Sequence, residues 1–96
     1  MQDELAALQA WYRTQCNGDW EHSFGVKIST LDNPGWAVSI DLAETPLAER
    51  DFTTITNLDP EVDWMVCELK DGKWLGHGGP AMLKPMIRTF LDWANR

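Results

Sequence analysis

Cysteine, histidine and positive charge are all scarce in this 96-residue chain, and each scarcity removes a class of function. Two cysteines, Cys16 and Cys67, are too few for a disulfide scaffold and stand in neither a CxxC nor a Cys/His metal spacing, so both are expected to be reduced and buried. Added to His22 and His77 they make no ligand set by spacing, and the acids never form the DxDxDG calcium loop. No metal and no cofactor are expected. Eight Lys and Arg stand against fifteen Asp and Glu, a formal charge of −7, which argues against nucleic acids and anionic membranes as partners because both demand cationic patches. No apolar run reaches the ~18 residues of a membrane span. The opening MQDELAALQA is acidic where a secretory leader would be basic, so the chain is expected to be cytoplasmic.

What is present suits one small domain over residues 1–96: 44% hydrophobic and 24% charged residues, enough apolar content to offset ordering entropy. The organising stretch is Asn17 to Leu42. Trp20, His22, Phe24, Val26 and Ile28, then Trp36, Val38, Ile40 and Leu42, fall on even positions, with mostly polar residues between them. Period two places alternate side chains on opposite faces, so two half-buried strands are expected, joined by the turn formers Leu31-Asp32-Asn33-Pro34-Gly35. Ahead of them Leu5, Leu8, Trp11, Tyr12 and Cys16 recur at helical steps, with Asp3 as N-cap and Asn17-Gly18 as the stop. That helix should cover the even-numbered face.

Beyond Leu42 the β-branched Phe52–Thr56 suggests a short or edge strand, and Leu58–Glu61 a turn. Val62 to Lys70 is apolar on both parities, with Trp64 and Val66 on one side and Met65, Cys67 and Leu69 on the other, the pattern of a central strand covered twice. Asp71-Gly72 is a hairpin signal returning through Lys73–Gly76. A final helix is expected from Pro80, with Met82, Leu83, Met86, Ile87, Phe90, Leu91 and Ala94 as its stripe and Pro85 either tolerated in the first turns or delaying the start. The fold class is α+β, an antiparallel sheet of four to five strands with an N-terminal and a C-terminal helix packed on it.

Chemistry is thinly signalled. His22 beside Asp19 can be drawn as a general base, alone or with Cys67 as nucleophile, but no local spacing places a nucleophile with it, and Cys67 stands in the most apolar strand. His77-Gly78-Gly79-Pro80 lacks the GK[ST] tail of a phosphate loop and reads better as a tight turn. Six tryptophans are more informative. Trp11, Trp64, Trp74 and Trp93 fall on apolar stripes and are expected in the core, whereas Trp20 and Trp36, each beside Gly or Asp, suit either core or an interface anchor. Charge is lopsided as well: Asp92 is the only acid after Asp71, while half of the cations follow it.

Leu8–Tyr12, Gln15–His22 (QCNGDWEH), Gly25–Ile28, Thr30–Trp36 (TLDNPGW), Ile40–Leu42, Asp63-Trp64 through Cys67, and the helix with Leu83, Phe90 and Trp93 together resemble the immunity protein 53 family of bacterial polymorphic toxin systems. The likeness spans nearly the whole chain. It implies a cytoplasmic antidote, not an enzyme, that binds a toxin's effector domain. An acidic antidote suits a basic toxin, notably a nuclease, through electrostatic steering. On that basis the contact candidates are Asp19, Trp20, Glu21, Trp36, Asp41, Glu44, Asp59, Glu61 and Asp63. The alternatives are a small enzyme using His22 with Asp19 or Cys67, and a self-associating structural domain pairing through an edge near Phe52.

Overall fold

Asp3 starts the first element as the sequence suggests: its carboxylate accepts the N–H groups of Leu5 and Ala6 and opens helix α1, Glu4–Gln15. The computed structural model describes residues 3–57 and 63–96, and the turn expected at Leu58–Glu61 lies outside the described residues, as does Val62. After Gly18, whose φ of 90° needs a glycine, the chain departs from the alternating pattern. Trp20–Ser23 is one helical turn, α2, where a strand was expected. The cause is local. Asn17 Oδ1 accepts the N–H groups of Asp19 and Trp20, and the Glu21 carboxylate accepts those of Asn17 and Gly18, so side chains satisfy the backbone in a coiled conformation before a ladder can.

The strands follow as β1 (Val26–Leu31), β2 (Gly35–Asp41), β3 (Ile55–Asn57), β4 (Met65–Lys70) and β5 (Lys73–Gly78), and the chain ends in α3 (Leu83–Ala94). All pairings are antiparallel in the order β1-β2-β5-β4-β3, so the five-stranded sheet lies in the expected α+β class. The centre is β5, not the Val62–Lys70 stretch. β4 lies one place from the edge and starts at Met65, and only Cys67 in it is fully buried, because among the described residues no layer covers the side on which Val66 and Glu68 stand. The Asp71-Gly72 turn has φ of 54° and 75°, the paired positive values of a type I′ hairpin.

Registry places Val38, Gly76, Cys67 and Ile55 in one row, with Ile40, Trp74 and Leu69 in the next, all facing the helices. Leu8 from α1 and Met86, Ile87, Phe90, Leu91 and Trp93 from α3 complete that core. A Cβ on Gly76 would press on Trp74 and on Met86 Sδ at 3.0–3.1 Å, so glycine here lets α3 sit close to the sheet. Pro85 is the third residue of α3, where a missing N–H costs little, and the helix begins at Leu83 rather than Pro80. Of the expected Phe52–Thr56 strand only Ile55 and Thr56 join the sheet, with Asn57, as β3. Phe52 instead turns inward, its ring 6.0 Å from Trp74 and 5.4 Å from Trp93, while Trp93 Nε1 donates to Asp51 O and Arg50 donates to Trp93 O.

Candidate functional site

The acidic contact candidates among the described residues separate into two groups at opposite ends of the sheet. At one end α2 is locked to the loop after β2: the Trp20 indole N–H donates to Ala43 O at 2.9 Å, and Asp41 meets Gly25 in the ladder. This junction carries Asp19, Glu21, Asp41 and Glu44. At the other end Trp36 pairs with Gly78, and Asp63 sits against Gly79. Trp36 and Asp41 are five steps apart on β2, about 17 Å, so the two groups form separate surfaces.

Three of these five carboxylates already hold the fold. Glu21 accepts from Asn17 and Gly18 N–H at 2.9 and 2.8 Å; its own N–H first, and then these two, hold its carboxyl below the ordinary value. Asp41 receives Lys73 Nζ at 2.8 Å and Gly25 N at 2.9 Å. Partial burial pushes its pKa up, yet these bonds and the nearby lysine charges leave it lowered. Asp63, at a left-handed φ of 98°, accepts from Trp64 N at 2.9 Å and Ala81 N at 3.2 Å and so fastens the β5–α3 connection. Asp19 and Glu44 differ. Both are exposed, and among the described residues neither carboxylate has a hydrogen-bond or ion-pair partner.

The two indoles also part company. Trp20 is 2% exposed, wedged edge-on against Trp11 and Tyr12 and tilted against Phe24, so it is core and not a surface anchor. Its place between Asp19 and Glu21 left core and interface both open. The helical turn decides for core by swinging the ring under α1. Trp36 remains half-buried and donates to Pro80 O at 3.0 Å, which leaves part of its surface at the second end. Asp59 and Glu61 lie outside the described residues. Sequence reasoning passed over Glu49 and Asp71, exposed acids brought to the first end by the loop after β2 and the β4–β5 turn, which are joined where Leu42 N donates to Gly72 O. The available signal was the Asp-Gly hairpin itself, which puts Asp71 on a sheet end.

The groups considered for catalysis are not assembled. His22 is exposed on α2, whereas Cys67 is 0% exposed under α3, and burial pushes its thiol up to about 11, the reverse of nucleophile activation. A cleft of 390 Å³ between the Asp51–Ile55 segment and the end of α3 is lined by Phe52, Thr89, Asp92, Trp93 and Arg96, without a histidine or cysteine. Among the described residues no three His, Cys, Asp or Glu stand together as a metal site, and no helix is long and apolar enough to cross a membrane.

A five-stranded antiparallel sheet with both long helices on one face and exposed carboxylates at its ends is a small acidic α+β domain. The chain belongs to the immunity protein 53 family, whose model matches residues 5–95. Membership implies an antitoxin role exercised by binding a toxin. No curated protein and no solved structure is detectably similar to it.

Proposed function

We infer that this protein is a cytoplasmic immunity protein, not an enzyme, that binds and neutralises a cognate basic toxin domain, with nucleases the leading class. The family match over residues 5–95 carries the antitoxin part. The surface part rests on chemistry. A −7 chain whose Asp19 and Glu44 are exposed and unengaged at one end offers charge without giving up an internal bond, and a cationic cleft is the natural complement. Glu21 and Asp41 lend their field to that end while keeping their structural bonds. Trp36 and Asp63, with Asp59 and Glu61 close in sequence, form a second contact group in this reading.

The test is co-expression with the toxin encoded beside it, followed by binding kinetics on the purified pair. Growth should be rescued, and Asp19→Lys with Glu44→Lys should slow association about 10-fold at low salt while changing dissociation less. Absence of rescue overturns the antitoxin reading. Rescue with unchanged association in the double variant overturns only the acidic-surface reading.

A further inference from the structure

The flank formed by α1 and the edge strand β1 has a composition the toxin-binding reading does not use. Asp41 N–H donates to Gly25 O at 3.0 Å, which sets the phase of the β1–β2 ladder. Gly25, Lys27, Ser29 and Leu31 therefore direct their backbone groups to β2, and Val26, Ile28 and Thr30 direct theirs outward, unpaired among the described residues. The side chains of those same three residues lie on the helix-covered face, opposite Ile40, Val38 and Trp36. On that face, Val26 joins Leu8, Gln9 and Tyr12 around a shallow cavity of 200 Å³. Leu5 at 49%, Tyr12 at 38% and Ile28 at 40% are the exposed large hydrophobics among the described residues, and all three border this strip.

Two properties select what covers it. The strip of Leu5, Leu8, Gln9, Tyr12, Val26, Ile28 and Thr30 carries no charge in a chain of net −7, since Glu4 is turned away to Arg88 and Lys84 on α3. Like-charged copies can meet there at little electrostatic cost. The strip is also self-complementary. An antiparallel pairing of β1 with itself about Ile28 sets Val26 opposite Thr30 of the second copy and Lys27 opposite Ser29, uses all three outward-facing residues, and makes about six backbone hydrogen bonds. It lays the two α1 helices antiparallel, so Leu5 of one copy faces Tyr12 of the other, two residues seven apart on one helix face. The other edge, β3, is three residues long and flanked by Asp51, Asp92 and Arg96, which guard it.

We propose that this protein forms a two-fold homodimer through β1, extending the sheet to ten strands and closing the α1–β1 strip. This does not rest on the toxin-binding reading, and it moves self-association from the Phe52 edge to the opposite one. A strip of this size buries about 1,000 Å² in total, the lower limit for a specific contact, so the dimer belongs to the micromolar range.

Sedimentation equilibrium of the full chain, from about 1 µM to about 300 µM at two salt concentrations, tests it. The mass should rise to twice the monomer's, and association should strengthen with salt as the −7 charges are screened. Thr30→Pro removes one outward N–H without touching a β2 bond, and Ile28→Lys sets two ammonium groups across the axis. Each should weaken dimerisation at least 10-fold with the melting curve at low concentration unchanged. A monomer at every concentration, whether the edge is free or reserved for another protein's strand, overturns the proposal. A dimer that persists in both variants overturns it too.

Discussion

Replacing Trp20 by Phe separates a core residue from a contact residue, because the two roles predict opposite results. The smaller ring gives up about 40 Å² of buried apolar surface, worth about 1 kcal/mol. It leaves a void of roughly 40 Å³ between Trp11, Tyr12 and Phe24, a further ~1 kcal/mol. The Ala43 carbonyl loses the indole donor that now reaches it at 2.9 Å; since this site is only partly buried, the loss is about 1 kcal/mol, at the low end for an orphaned acceptor. The sum is about 3 kcal/mol, a large fraction of the ~5–15 kcal/mol a domain has, and corresponds to a fall in Tm of roughly 12–24 °C. Urea unfolding followed by far-UV circular dichroism measures it, with Trp36→Phe as the half-exposed control expected to cost under about 1 kcal/mol. A loss below about 1 kcal/mol for Trp20→Phe, accompanied by weaker toxin binding, would refute the packing argument and return Trp20 to the interface.

Other perturbations follow from single contacts. Glu4 is buried between the helices and bonded to Arg88, and this bond above all lowers its carboxyl below 4.5. A lowered folded pKa stabilises above the unfolded value and loses that stabilisation as pH falls through the folded one, so urea midpoints should drop below about pH 4.5, and Glu4→Gln should flatten that part of the profile. Glu44 holds a left-handed φ of 60° in the exposed loop after β2. Glu44→Gly should relieve about 1 kcal/mol of strain against about half that in unfolded-chain entropy, giving a slightly more stable protein, while Glu44→Ala should not gain. In native protein at pH 8 only Cys16 should react with a thiol reagent, because Cys67 is buried with a thiol near 11; both should react in denaturant. Gly35→Ala would drive a methyl into the carbonyl of Gly78 on the neighbouring strand and should cost about 3 kcal/mol by thermal melt.

Periodicity carried the fold where burial had one sense. β2 reads as alternation because α1 and α3 cover one face of it and none of the described elements covers the other, and the stripe of α3 is legible for the same reason. Patterning misled where short-range hydrogen bonding competes with it. The even spacing of Trp20, His22 and Phe24 would suit a strand, but Asn17 and Glu21 supply four local bonds that close a turn, and the choice falls to them. The double apolar parity of β4 suggested a two-sided cover, yet Val66 stands on the side of the sheet away from α1 and α3, beside His77 in the same layer. For the contact surface, residue type alone was insufficient. Glu21, Asp41 and Asp63 look interchangeable with Asp19 and Glu44 in composition, and only coordinates reveal that the first three spend their lone pairs on backbone N–H groups or a lysine. A carboxylate so engaged still contributes its field but gives up a bond to meet a partner, so on the proposed acidic-surface reading the unengaged pair is where a toxin cation would bind at least cost.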